Sequence, residues 1–198
     1  MSTGRLQHEL RKKKPFESLD EEAGLNLART SDQLSIRFER LLPGPIETVW
    51  SYLTDAKKRG EWLASGPMEL RMGGKVSLRF KHSQLSPLQA PPPERFRKMD
   101  AEGHQAEETI TAFDPPRRLG FTWGGTSEVV FELAPRGDRV LLTLTHRKLP
   151  NDAERTGTAG GWHCHLTILV EKLEGRTPPA FWDVFRKIDA EYANGIPR

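Results

Sequence analysis

Three ionisable side chains stand in strand-like stretches where chemistry is conceivable. Glu108 shares parity with Ile110, His82 with Phe80, and His146 with Leu144. Successive side chains of a strand point to opposite faces, so each polar group shares a face with an apolar residue two positions away. A carboxylate or imidazole turned toward an apolar cavity has a displaced pKa and can move a proton or orient a ligand. At a strand end in water the same groups do neither, and the spacing alone leaves both readings open. His163, Cys164 and His165 form a second cluster. Residues two apart on a helix point about 200° away from each other, whereas paired metal ligands on a helix stand four apart. No metal site is expected there, and no cofactor elsewhere. Cys164 has no general base at recognisable spacing, so it is not read as a nucleophile. Gly73-Gly74 and Gly124-Gly125 read as hairpin turns rather than phosphate cradles.

Those groups need a sheet to carry them and a helix to cover it. The cover is the stretch 160–175, GGWHCHLTILVEKLEG, in which Trp162, Leu166, Leu169 and Leu173 make one apolar stripe of helical period. Its geometry turns His165 toward the Trp162 side and His163 toward the preceding loop. Residues 34–42 alternate as a strand, 46–54 show helical spacing, and 55–63 read as a second short helix carrying Trp62. Residues 68–72 read as a short strand before the Gly73-Gly74 turn, and 75–81 as a strongly alternating one. Residues 82–103, with Pro87 and Pro91–Pro93, show no period and read as a flexible flap or edge excursion. Four strands follow at 105–113, 117–123, 128–133 and 139–146, with connections short enough to force antiparallel neighbours. Residues 180–193 read as a terminal amphipathic helix. The stretch 1–33 is different. A basic block at Arg11–Lys14 precedes an acidic one at Glu17–Glu22, and the stretch reads as a charged, solvated extension with a helical turn near 18–28.

Composition narrows the classes. The chain has 198 residues, 36% hydrophobic and 29% charged, with a net charge of +3. That charge is too mild to argue for nucleic acid. No apolar run approaches the ~18 residues of a membrane span, and residues 1–15 lack the apolar centre of a secretory signal. One cysteine excludes an internal disulfide framework. A cytoplasmic location is the expectation.

Four motifs in order are more specific: EWLASGPMELRMGGKVSLRF (61–80), FDPPRRLGFTW (113–123), TLTHRKLP (143–150) and GGWHCHLTILVEKLEG (160–175). With the element order they resemble the SRPBCC superfamily, which includes the START domains and the birch-pollen allergen. Within it they are similar to the branch named after the activator of heat-shock-protein-90 ATPase. The resemblance spans about residues 34–195. It implies an α+β helix-grip fold, a curved antiparallel sheet of about six to seven strands wrapped around a long C-terminal helix, with residues 34–198 as the domain and 1–33 as an extension. It also implies an apolar cavity between sheet and helix, the usual place for a small ligand. The expected ligand-binding set is Trp62, Phe80, His82, Glu108, Ile110, Phe121, Trp123, Phe131, His146, Trp162, His165 and Leu166. The favoured function is non-enzymatic binding of an apolar or aromatic small molecule. A cyclase- or hydrolase-like enzyme using Glu108 or a histidine, and a chaperone-ATPase-activator-like module, are the alternatives. The resemblance leaves a protein partner or a homodimer open.

Overall fold

The computed structural model describes residues 25–26, 29–30 and 33–193. The main sheet is built from six antiparallel strands: β3 (Gln33–Pro43), β4 (Lys75–Phe80), β5 (His104–Asp114), β6 (Arg118–Trp123), β7 (Ser127–Arg136) and β8 (Arg139–Leu149). Their spatial order is β3-β8-β7-β6-β5-β4. Alternation explains the inner face: Ile36, Phe38 and Leu42 of β3, Val76, Leu78 and Phe80 of β4, and Leu142 and Leu144 of β8 are buried. β5 serves two partners. Its first half pairs with β4, from Thr109↔Lys75 to His104↔Phe80, and its second half pairs with β6 from Ile110↔Phe121 onward. The sheet therefore splays at Thr109–Ile110.

Two short strands from the stretch read as an extension, β1 (Leu25–Asn26) and β2 (Arg29–Thr30), pair with the outer side of β3. They cover an otherwise open edge. The helical turn expected near 18–28 lies mostly outside the described residues, and its described part is β1. Deleting residues 1–30 removes few backbone hydrogen bonds. The expected result is a folded domain destabilised by about 2 kcal/mol, checked by thermal melting of the truncated chain.

α1 (Ile46–Thr54) and α2 (Ala56–Gly60) follow β3, as the spacing indicates. Asp55 caps α2, accepting from the backbone N–H of Lys57 and Lys58 at 2.9 Å each. No strand forms at 68–72. Single bridges join Ser65 to Arg79 and Met68 to Val76, and the chain then tightens through Arg71 N–H to Glu69 O and Gly74 N–H to Arg71 O. Local turns displace the ladder there. Gly73 and Gly74 lie in the turn between Glu69 and Lys75, closed by Glu69 N–H to Lys75 O, and both also bond Ile110.

The stretch 82–103 carries 3₁₀ turns at His82–Gln84 and Glu94–Phe96, then α3 (Arg97–Glu102). It is docked rather than free. Phe96 stacks on Trp182 at 5.4 Å, one guanidinium nitrogen of Arg95 donates to both carboxylate oxygens of Asp189, and Ser86 Oγ donates to Pro178 O at 2.7 Å. Its anchor is α5 (Phe181–Ala193).

α4 (Asp152–Leu173) crosses the concave face of the sheet. Asn151 caps it by accepting from Glu154 N–H, so it begins well before the expected Gly160. Residues 164–169 are buried all round the helix, because α5 covers the face turned away from the sheet. Phe181, Trp182, Val184 and Ile188 supply that cover. No described helix is long and apolar enough to cross a membrane.

Candidate functional site

A cavity of about 260 Å³ lies between the splayed end of the sheet and the N-terminal half of α4. Phe80, Trp123 and Trp162 wall it, with Leu78, Met99 and Ala106. Trp123 meets Trp162 at 5.0 Å between ring centroids and Phe80 at 5.7 Å. Polar character comes from His82, His104, Glu108, Thr158 and His165.

The expected residues divide. Phe80, His82, Glu108, Trp123, Trp162 and His165 line the cavity. Trp62, Ile110, Phe121, Phe131, His146 and Leu166 are buried but do not line it. Trp62 donates its indole N–H to Tyr52 O at 2.8 Å and sits edge-on to Phe131. Those six belong to the closed core, since strand parity fixes the face of a residue but not its distance from the open end of the sheet.

Glu108 bridges the place where the sheet splays. Its Oε1 accepts from Gly124 N–H at 2.8 Å, its Oε2 accepts from Thr122 Oγ1, and Thr122 Oγ1 in turn accepts from Thr109 N–H at 3.0 Å. Side chains thus continue the β5–β6 connection beyond Ile110↔Phe121. The carboxylate is a fixed part of the wall.

His146 is fully buried. Its Nδ1 accepts the indole N–H of Trp162 at 2.9 Å, its Nε2–H donates to Ser127 Oγ at 3.0 Å, and Ser127 Oγ donates to Trp123 O. This chain fixes the tautomer and ties both cavity tryptophans to the strands. Burial pushes the imidazole pKa down to about 4, so the ring is neutral near pH 7.

His165 donates from Nδ1 to Trp62 O at 2.7 Å. A carbonyl can only accept, so the proton is on Nδ1 and Nε2 carries a lone pair. Burial, with His82 beside it, holds its pKa down at about 3. His82 has left the strand at the first 3₁₀ turn. Its ring lies 5.4 Å from His165 and 4.3 Å from Phe181, and burial pushes its pKa down to about 4. His104 is exposed at the rim, 5.9 Å from Phe80.

His163 faces away, edge-on to Phe38 at 6.3 Å. Cys164 is buried and its thiol is pushed far up by desolvation, the opposite of a nucleophile's environment. Among the described residues no three metal-ligating side chains converge.

Met99, His104, Thr158 and Gly161 also line the cavity and were not anticipated as site residues. A signal existed for two of them. Thr158, Gly161, Trp162 and His165 fall at helical spacings of three and four, one face of α4.

A curved antiparallel sheet gripping a long helix around a small aromatic cavity defines the helix-grip class. The chain belongs to the family described as Activator of Hsp90 ATPase homolog 1-like protein, whose model matches residues 43–174. A Bordetella parapertussis protein solved by NMR is 42% identical, with 89% of this chain and 93% of that one covered and a TM-score of 0.72. CalU16 from Micromonospora echinospora is 24% identical in its crystal structure, over 87% of this chain and 96% of that one, with a TM-score of 0.61. No curated protein matches the chain.

Proposed function

We propose that this chain binds an apolar or aromatic small molecule in the cavity and does not transform it. The observation that carries this reading is the walled space itself, about 260 Å³ bounded by Phe80, Trp123 and Trp162. Membership of a family built on a cavity fold supports it. So does the state of the polar groups. Both nitrogens of His146 are engaged by protein partners, two donors hold Glu108 in the wall, and burial lowers the His165 pKa to about 3, which makes that imidazole a weak base near pH 7.

The test uses Gly161. A Cβ built there meets no atom within 4 Å, so the missing side chain is part of the space. Gly161→Leu is expected to fold normally and lose uptake of 2-methoxynaphthalene measured by calorimetry. Gly161→Ala is expected to keep some binding and to raise stability by about 0.5–1 kcal/mol, because glycine is a poor helix former. Unchanged uptake by a folded Gly161→Leu variant would place the guest elsewhere.

A further inference from the structure

The polar groups around the cavity differ in what they can offer a guest. His165 is buried, 6% exposed. Its Nδ1–H is held by the Trp62 carbonyl, so the ring atom left to meet a guest is the Nε2 lone pair. A proton on Nε2 would create a buried imidazolium, which burial disfavours here, with a pKa of about 3. Glu108 presents carboxylate oxygens whose protein partners are all donors. His82, in contact with the His165 ring, is also neutral near pH 7. Among the described residues no lysine or arginine lines the space, and His104 stands at the exposed rim.

We propose that the guest is a neutral aromatic molecule bearing a hydrogen-bond donor, such as a phenolic hydroxyl, and that it donates to His165 Nε2. Glu108 is the specificity residue that turns away carboxylate-bearing guests. This rests on the binding function proposed above. His165 Nε2 is an acceptor at the cavity wall, so a guest that displaces water from it gains if it supplies a donor and loses if it does not. An anion brought beside a fixed carboxylate meets repulsion in a poorly screened site with no cation to offset it. A site holding acceptors therefore separates hydroxyl, ether and carboxylate forms of one ring system.

The experiment compares three such probes by calorimetry on the full chain at pH 7: 2-naphthol, 2-methoxynaphthalene and 2-naphthoate. The expected order places 2-naphthol at least about ten-fold tighter than the ether, with the carboxylate weakest, as a retained against a lost buried hydrogen bond allows. His165→Asn keeps an N–H in the place of Nδ1 for the Trp62 carbonyl and removes Nε2. It is expected to erase the preference for 2-naphthol over the ether. Glu108→Gln removes the charge and is expected to admit 2-naphthoate, an independent reading should the His165 variant not fold. Equal affinity for all three probes, or naphthoate binding best, would overturn the donor-to-His165 assignment and leave the binding function standing. No binding by any of the three would overturn both.

Discussion

Acidification from pH 7 to pH 5 is expected to destabilise this domain by roughly 4 kcal/mol through His146 and His165 alone. Both rings are buried and neutral, with pKa values near 4 and 3 against 6.5 for a free imidazole. Above pH 6.5 neither folded nor unfolded chain binds the proton, and nothing is lost. As pH falls below 6.5 the unfolded chain takes up protons that the folded one refuses, so stability drops until the folded value is reached. Each ring contributes about 2 kcal/mol by pH 5. His82 and His163, both also lowered to about 4 by burial, act in the same direction. The total is a large part of the ~5–15 kcal/mol that holds an ordinary domain folded. Urea unfolding at the two pH values measures the effect as a falling midpoint. Equal midpoints would mean that the imidazoles charge inside the fold without penalty. His146→Gln should flatten the pH slope whatever it does to stability at pH 7.

The second large effect is expected at Arg59. This side chain is 1% exposed. Its guanidinium donates to the carbonyls of Ala64 at 3.2 Å, Thr54 at 3.1 Å and Leu53 at 3.5 Å, and to Gly66 O. It thereby ties the end of α1 and the turn leading to β4 to α2. Burial lowers its pKa to about 10, opposed by Asp55, so it remains charged at pH 7. Gly66, at φ +119°, lies so close to Ser77 O that a Cβ would meet it at 2.4 Å, so the turn that presents its carbonyl to Arg59 needs glycine there. Arg59→Leu leaves several buried carbonyls without donors and is expected to cost about 4 kcal/mol, or roughly 10 °C in Tm. Arg59→Lys should recover less than half, because one ammonium cannot span a fork of four acceptors. A melting temperature within a degree or two of the native one for Arg59→Leu would show that water takes over the guanidinium's role.

Arg59 also marks where sequence reasoning stops. In AKKRG, residues 56–60, nothing separates it from Lys57 and Lys58. Only the chain's return at 64–66 buries it. The strands were legible because Val76, Leu78 and Phe80 alternate with polar residues, and the period of two survives folding intact. Trp123 was legible for the same reason, and Trp162 through the helical period of its stripe. Depth was not: Phe121 and Trp123 have one parity, yet Phe121 is sealed in and Trp123 borders open space. His82 was given the parity of a strand that ends at Phe80, and it reaches the cavity through a 3₁₀ turn instead. The extent of α4 was underestimated because its first turns, DAERTGTAGG, carry little apolar pattern. Asn151 and the acids at 152 and 154 were the available start signal. The docking of 82–103 on α5 depends on aromatic contacts between stretches some 90 residues apart, such as Phe96 with Trp182 and Phe185, which no local pattern encodes.

The vacancy beside Gly161 has an evolutionary corollary. The room available to a guest is set by what one helical position omits, while the strands that give the domain its rigidity lie opposite and stay untouched. Exchanging that one residue among descendants of this chain would resize the chamber in steps of a methyl group or more. Guest dimensions could then drift quickly from lineage to lineage while the scaffold changed slowly.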